Sequence, residues 1–218
     1  MNLKHYAWFF KGALSNETCD SILKIGLSRK KEQGIIDSTN RGDAYGLRDL
    51  QEDPLSPLEK KQLLRKRNSH IAWLDEQWIF ELINSYINKA NQNAGWNFQW
   101  DWTESSQFTM YGKDQFYGWH IDAGMKPASN PNWKGSYKKT RKISSNIQLT
   151  DPSEYEGGLF QIDPRMDDPD KKKPEIWTAP RDRGTIICFP SFTWHRATPV
   201  TKGVRYSMTH WHWGQPWK

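Results

Sequence analysis

Four side chains have types and spacing that could do chemistry together: His120, Asp122, His195 and Arg205. The first two stand in Tyr117-Gly118-Trp119-His120-Ile121-Asp122. His195 closes the run Phe189-Pro190-Ser191-Phe192-Thr193-Trp194-His195, and Arg205 follows ten positions later. Two imidazoles and one carboxylate make a facial ligand set for non-haem iron, with positions left open for a co-substrate and oxygen. Borderline nitrogens with one hard oxygen suit Fe(II) or Mn(II). A planar guanidinium keeps its charge when buried and grips a carboxylate with two parallel hydrogen bonds. Together these groups point to oxygenation.

Geometry restricts how the set can assemble. Residues i and i+2 of a strand face the same way. A strand over 116–122 therefore aims His120 and Asp122 at one ion and turns Trp119 and Ile121 into packing. Gly118, on the ligand face, is expected to leave space beside the metal. The third ligand must come from elsewhere. His5 and His70 sit in polar stretches and read as surface residues. His210 and His212 form a second His-x-His pair, but strand parity counts against them. If Arg205 faces inward, so do Ser207, Thr209, Trp211 and Trp213, and the two histidines face out. That leaves His195.

The elements that must position these residues fall into two parts. At 218 residues the chain suits one domain, long enough to bury a core. Residues 1–95 read as mainly helical support and 96–218 as a β core. Ser15 is the N-cap of a helix running to about Leu27, and Ser56-Pro57-Leu58-Glu59 is a capping box. A third helix over 75–91 carries Trp78, Ile79, Leu82, Ile83, Tyr86, Ile87 and Ala90 on one face, with Gly95 past its end. Beyond Trp96 the pattern alternates in short runs: 106–111, 116–122, 143–149, 157–162, 184–189, 193–199 and 204–212. The fold class is α+β with a mainly β core, a sandwich or jelly roll with helices outside.

Composition narrows the setting. Charged residues make up 26% of the chain and mean hydropathy is −0.90, so a membrane protein is not expected. The apolar run Ala7-Trp8-Phe9-Phe10 is too short for a signal peptide or a span. Cys19 and Cys188 are the two cysteines; they make no disulfide framework, and a reducing cytoplasm fits. The net charge of +6 is compatible with acidic partners but does not demand them. The thirteen tryptophans are expected in core and pocket walls. From Lys126 to Lys142 six basic residues (Lys126, Lys134, Lys138, Lys139, Arg141, Lys142) occur without an acid. Residues 163–173 are dense in both signs. Both stretches read as solvated loops, and the first, directly after Asp122, also as a lid or substrate clamp.

The motifs resemble those of the Fe(II)/2-oxoglutarate-dependent oxygenases, in particular the prolyl 4-hydroxylase-like group of bacterial or phage type. The resemblance rests on Leu14-Ser15-Asn16-Glu17-Thr18-Cys19-Asp20, Gln107 to Gly112, Phe116 to Asp122, and Tyr155-Glu156-Gly157-Gly158-Leu159. Phe189-Pro190-Ser191, His195 to Val200, and Gly203 to Ser207 complete it. It implies a double-stranded β-helix with Fe(II) at its open end and with 2-oxoglutarate and O2 as co-substrates. Ascorbate is a candidate reductant. It also implies roles. His120, Asp122 and His195 hold iron, and Arg205 takes the C5 carboxylate of 2-oxoglutarate. Tyr111 donates to the co-substrate, and Ser207 shares its pocket. Gln148 stands where relatives often place a tyrosine, and relatives with peptide substrates often have lysine in place of Arg205. Trp211 and Tyr117 wall the substrate pocket.

The activity so implied is hydroxylation of a C–H bond, with succinate and CO2 as co-products. The leading substrate is a protein or peptide side chain such as proline; a free amino acid is the alternative. Nucleic-acid demethylation is disfavoured, because base-repair relatives carry an arginine six residues beyond the 2-oxoglutarate arginine, where this chain has Trp211. Halogenation is disfavoured by Asp122, since related halogenases replace that carboxylate. A non-catalytic metal-binding jelly roll would have to keep the triad and Arg205 without using them.

Overall fold

The computed structural model describes residues 2–34, 56–123, 126–129, 131, 135–164 and 175–217. Ser15 opens α1 (Asn16–Ser28) by accepting a hydrogen bond from the Thr18 amide. Ser56 and Glu59 form the reciprocal capping box of α2 (Pro57–Leu64), satisfying two amides that a helix start leaves unpaired. The third helix, α3 (Gln77–Asn93), lies two residues later at each end than its apolar pattern predicts. It buries Ile79, Ile83, Ile87 and Ala90, and Gly95 ends it in the left-handed region at φ 74°, as a glycine beyond a C-cap does.

The strands of the first third are β1 (Trp8–Phe10), β2 (Glu32–Gln33), β3 (Arg67–Asn68) and β4 (His70–Leu74). Next come β5 (Trp102–Thr103), β6 (Ser106–Tyr111), β7 (Phe116–His120) and β8 (Thr140–Gln148). Then follow β9 (Tyr155–Gly157), β10 (Phe160–Asp163), β11 (Trp177–Thr178) and β12 (Ile186–Pro190). The last are β13 (Trp194–Ala197), β14 (Val200–Gly203) and β15 (Arg205–Gly214). The major sheet runs β1-β12-β8-β15-β6-β4-β2, with β5 on β15. The minor sheet runs β11-β10-β13-β7-β3, and β14 pairs with β9 as a ribbon.

Two apolar clusters hold these layers. Cys19 and Ile22 of α1 and the buried face of α3 pack on Ala72, Phe108, Ile147, Cys188 and Met208 of the major sheet. On the sheet's other face, Ile187 and Phe189 meet Phe160 and Ile162 of the minor sheet, with Ala7 and Ala179 at the edge. The jelly-roll expectation therefore holds, with helices outside one sheet and the two sheets facing each other.

The first third differs from its helical reading, because four strands there extend both sheets. β1 has three residues and β2 and β3 have two each, too few to show a period of two. In β4 the burial order interrupts alternation, with Ile71, Ala72 and Leu74 buried and Trp73 partly exposed. His70 is part of this strand, half-buried, with its Nδ1 3.1 Å from Gln115 Nε2; it is not a free surface residue. The predicted strand 157–162 is two strands, broken where Gly157 and Gly158 take φ of 72° and 57°. The predicted 116–122 strand stops at His120, because the Asp122 and Ala123 amides both leave the ladder to donate to the Ser191 carbonyl.

The basic stretch is partly pinned rather than solvated. Lys139 pairs with Asp101 and Arg141 with Glu104. Lys142 sits buried with its ammonium 3.5 Å from the Trp217 ring centroid. Lys126 and Lys138 are exposed. Lys134 lies outside the described residues, as does most of 163–173, so the lid reading extends beyond what is described.

His210 and His212 lie on the helix side of β15. His210 Nδ1 is 2.6 Å from Ser106 Oγ, and its ring packs on Phe80 of α3. His212 Nε2 donates to Asn84 Oδ1 of α3 at 2.7 Å. Both are fully buried. Burial pushes the pKa of His210 down to about 3. Burial, then the His210 charge, holds His212 well below its ordinary value, against a backbone hydrogen bond at Ile143.

The unfolded chain therefore takes up protons near pH 6.5 that the folded chain refuses. Stability from this pair is complete above that pH and falls as the pH drops toward the folded values. The slope is about 1.4 kcal/mol per pH unit for each histidine. Urea unfolding at about pH 7 and pH 5 should show the loss, and His210→Gln should flatten it. A slope unchanged in that variant would reject the assignment.

A candidate metal centre and its anion pocket

His120 ends β7 and His195 stands in β13, its direct neighbour, so the ladder sets the two imidazoles opposite each other. Asp122 follows in the bend held by Ser191, and Ser191 is itself tied to Ser144 of β8 through their hydroxyls at 2.9 Å. His120 Nε2 lies 3.6 Å from Asp122 Oδ1, and His195 Nε2 lies 3.5 Å from Asp122 Oδ2. All three ligand atoms fall within 4.8 Å of one another. Among the described residues this is the single such cluster of histidine, cysteine or acidic side chains.

Tautomers make the cluster fit a cation. His120 Nδ1 donates to the Gly118 carbonyl at 2.8 Å, and His195 Nδ1 donates to the Thr193 carbonyl at 2.9 Å. Each proton on Nδ1 leaves Nε2 a bare lone pair aimed at the shared point, as a ligating histidine requires. Burial, reinforced by the His120 charge, lowers the His195 pKa to about 4, against Asp122 and the Thr193 carbonyl. The ring is therefore neutral near pH 7. Burial alone would raise the Asp122 carboxyl, but the pull of His195, then His120, then Arg141 holds it far below the usual carboxylate range. Two imidazoles with their Nε2 atoms turned toward an ionised carboxylate form a donor set for a divalent cation.

Surrounding groups fix the cluster. Trp211 Nε1 donates to Asp122 Oδ2 at 2.9 Å. Tyr117 stacks on His120 with ring centroids 3.5 Å apart, and Arg67 lies 4.4 Å from the Tyr117 ring centroid. Burial pushes the Tyr117 phenol well above its ordinary pKa, against the Arg67 charge. Trp119 turns away from the cluster and carries the Arg196 guanidinium over its ring. Gly118 does not open space at the cluster: a side chain there would meet the Lys66 carbonyl oxygen at 3.1 Å. Its backbone explains it, since Gly118 N donates to that same carbonyl while its own carbonyl takes the His120 proton.

Arg205 opens β15 and is 1% exposed. Its guanidinium donates to Gln148 Oε1 through Nε and Nη2, to Asn146 Oδ1 at 3.0 Å, and to Ser207 Oγ at 3.3 Å. The Tyr111 ring lies beside it, 5.4 Å away. All these partners are neutral, and no described carboxylate pairs with it. A buried unpaired charge is costly and calls for an anion. Gly158 lets the chain close over the pocket: a side chain there would stand 3.0 Å from Arg205 Cδ and 2.9 Å from Val200 Cγ2, at a positive φ. Asn146 was not among the expected residues. Its signal is its place two residues before Gln148 on β8, with both registered against β15.

A profile of the 2OG-Fe(II) oxygenase superfamily matches residues 106–213. The PKHD-type hydroxylase YbiX of Escherichia coli (strain 55989 / EAEC) is 28% identical over 132 residues, 60% of this chain and 53% of that protein. A PKHD-type hydroxylase of Xylella fastidiosa (strain M23) is 31% identical over 107 residues, 48% of this chain and 42% of that protein. The chain thus spans about half the length of these curated relatives.

Among solved structures, a viral collagen prolyl hydroxylase from Paramecium bursaria Chlorella virus-1 aligns with a TM-score of 0.59. It is 19% identical, and 96% of each chain is covered. A Trichoplax adhaerens prolyl hydroxylase, in complex with a hypoxia-inducible-factor peptide fragment, aligns with a TM-score of 0.63. It is 16% identical, covering 95% of this chain and 83% of that one. These structures share the fold.

Proposed function

Because the chain belongs to the 2OG-Fe(II) oxygenase superfamily, we propose that it is a hydroxylase with Fe(II) on His120, Asp122 and His195. Arg205 binds the distal carboxylate of 2-oxoglutarate. The carrying observation is the buried Arg205, with no acid paired to it among the described residues, on the sheet that also supplies Trp211 to Asp122. The family chemistry is oxidation of a C–H bond by O2, with succinate and CO2 formed from 2-oxoglutarate.

The chain's own groups do the positioning. Gly118 and Thr193 carbonyls hold the Nδ1 protons, so that both Nε2 atoms face the metal. Gln148, Asn146 and Ser207 hold the guanidinium flat and leave it to meet a carboxylate. Gln148, in the place where relatives often have tyrosine, acts on Arg205 as an acceptor. Tyr111 donates its hydroxyl to the co-substrate, and Trp211 and Tyr117 wall the reaction space.

The substrate is a protein or peptide side chain, with proline the first to test; the shared fold with prolyl hydroxylases supports that choice. No described helix is long and apolar enough to cross a membrane, and both cysteines are free and buried. We place the protein in the cytoplasm, a reducing compartment where cysteines stay free. The test is mass spectrometry of a proline-containing peptide library incubated with Fe(II), 2-oxoglutarate and O2. A gain of one oxygen on a peptide, matched by succinate, is expected. Turnover of free amino acids without any peptide product would move the substrate class to small molecules.

A further inference from the structure

Asp122 is the one carboxylate of the cluster, and its free rotation would spoil the donor geometry. Its Oδ2 is held by the Trp211 indole N–H. That indole is in turn clamped. The Arg141 guanidinium lies 4.2 Å from the Trp211 ring centroid and 5.2 Å from that of Trp213. Glu104 fixes it with both oxygens: Oε1 accepts from Nη2 at 2.8 Å, and Oε2 from Nη2 at 2.7 Å and Nε at 3.1 Å. Glu104 Oε2 also accepts from Trp213 Nε1 at 3.0 Å, and the Glu104 amide donates to the Trp211 carbonyl. Arg141 Nη1 reaches the Asp122 carbonyl at 3.4 Å.

These side chains are mostly shielded from water, at 16% exposure for Arg141 and 21% for Glu104. An ion pair of this kind is screened less than one in solvent. A guanidinium held over the indole by both oxygens of a carboxylate restricts the ring's rotation, which a lysine cannot do.

We propose that Arg141 and Glu104 are positioning residues for the Asp122 carboxylate, acting through the Trp211 indole. Glu104 precedes the stretch matched to the family, residues 106–213. The proposal rests on Asp122 being a metal ligand. It says that metal affinity depends on a clamp that holds the Asp122 carboxylate through the Trp211 indole and meets Asp122 itself at its backbone carbonyl. Supporting groups of this sort change metal affinity by about 10–100-fold.

Co(II) binding to the full chain, followed by its visible absorption, reads the effect without turnover. Trp211→Phe and Arg141→Ala should each weaken Co(II) about tenfold or more. The double variant should bind within about twofold of Trp211→Phe alone, since linked groups do not add. Arg141→Lys keeps the charge and should behave like Arg141→Ala. Glu104→Gln should weaken binding in the same direction, and it serves if Arg141→Ala does not fold, as judged by thermal unfolding of the metal-free protein. Wild-type affinity in Arg141→Ala, additive losses in the double variant, or full rescue by Arg141→Lys each overturn the proposal. Failure of the wild-type chain to bind Co(II) would overturn instead the reading of the cluster as a metal site.

Discussion

His195→Ala is expected to abolish succinate formation and to weaken metal binding by more than the roughly 100-fold seen for supporting groups. The reason is geometric. In the proposed site His195 supplies one of three ligand atoms, and the two that remain, on His120 and Asp122, are 3.6 Å apart. Two protein ligands hold an ion poorly against exchange to water, and the open face becomes larger than the chemistry needs. Asp122→Ala should be as severe, because it removes the one anionic ligand as well as the acceptor for Trp211 Nε1. His212→Ala is the matched control. That residue is also a fully buried histidine, but its Nε2 serves Asn84 on α3. It should lose stability and keep metal. Isothermal titration with Mn(II), alongside thermal unfolding of the metal-free variants, separates the two effects. Metal retained in His195→Ala and lost in His212→Ala would reverse the ligand assignment.

The convergence of these residues was legible for particular reasons. β15 is ten residues long, so parity from Arg205 places Ser207 and Trp211 on one face and His210 and His212 on the other. Helix starts were equally readable, because Ser15 and Ser56 cap by side-chain chemistry local to the sequence.

What was hidden depends on distant partners. Arg67 reaches the site by lying over Tyr117, fifty positions away, from a two-residue strand with no pattern of its own. Gly118 looked like room for a metal, but its neighbour is the Lys66 carbonyl brought in by β3. Arg141 looked like part of a charged loop because its acid, Glu104, lies 37 residues earlier. Asp122 reaches the cluster although the strand has already ended, since the Ser191 carbonyl turns the chain there. In each case the deciding contact is a backbone carbonyl, a single ion pair or a cation over a ring, and none of these leaves a periodic trace in sequence.

Arg205→Met should separate co-substrate binding from metal binding. Truncating one side of a buried charge pair costs about 2–5 kcal/mol, so the Kd for 2-oxoglutarate should rise by roughly 30-fold or more. Metal affinity should stay near wild type, because none of the three ligand atoms bonds to Arg205. Stability gives an independent readout. Without a ligand the wild-type chain carries a guanidinium that is 1% exposed and, among the described residues, bonded to neutral groups. Replacing it by an apolar side chain of similar reach removes that desolvation cost, though it leaves Gln148 and Asn146 without their donor. The ligand-free variant should therefore lose little stability. In the wild type, 2-oxoglutarate should raise the unfolding temperature in proportion to RT ln(1 + [L]/Kd); in Arg205→Met that rise should shrink at every ligand concentration while the rise with Mn(II) persists. Arg205→Lys should fall between them, since an ammonium supplies charge but cannot meet Gln148, Asn146, Ser207 and a carboxylate in one plane. An undiminished 2-oxoglutarate shift in Arg205→Met would mean that the co-substrate's distal carboxylate is held by another residue.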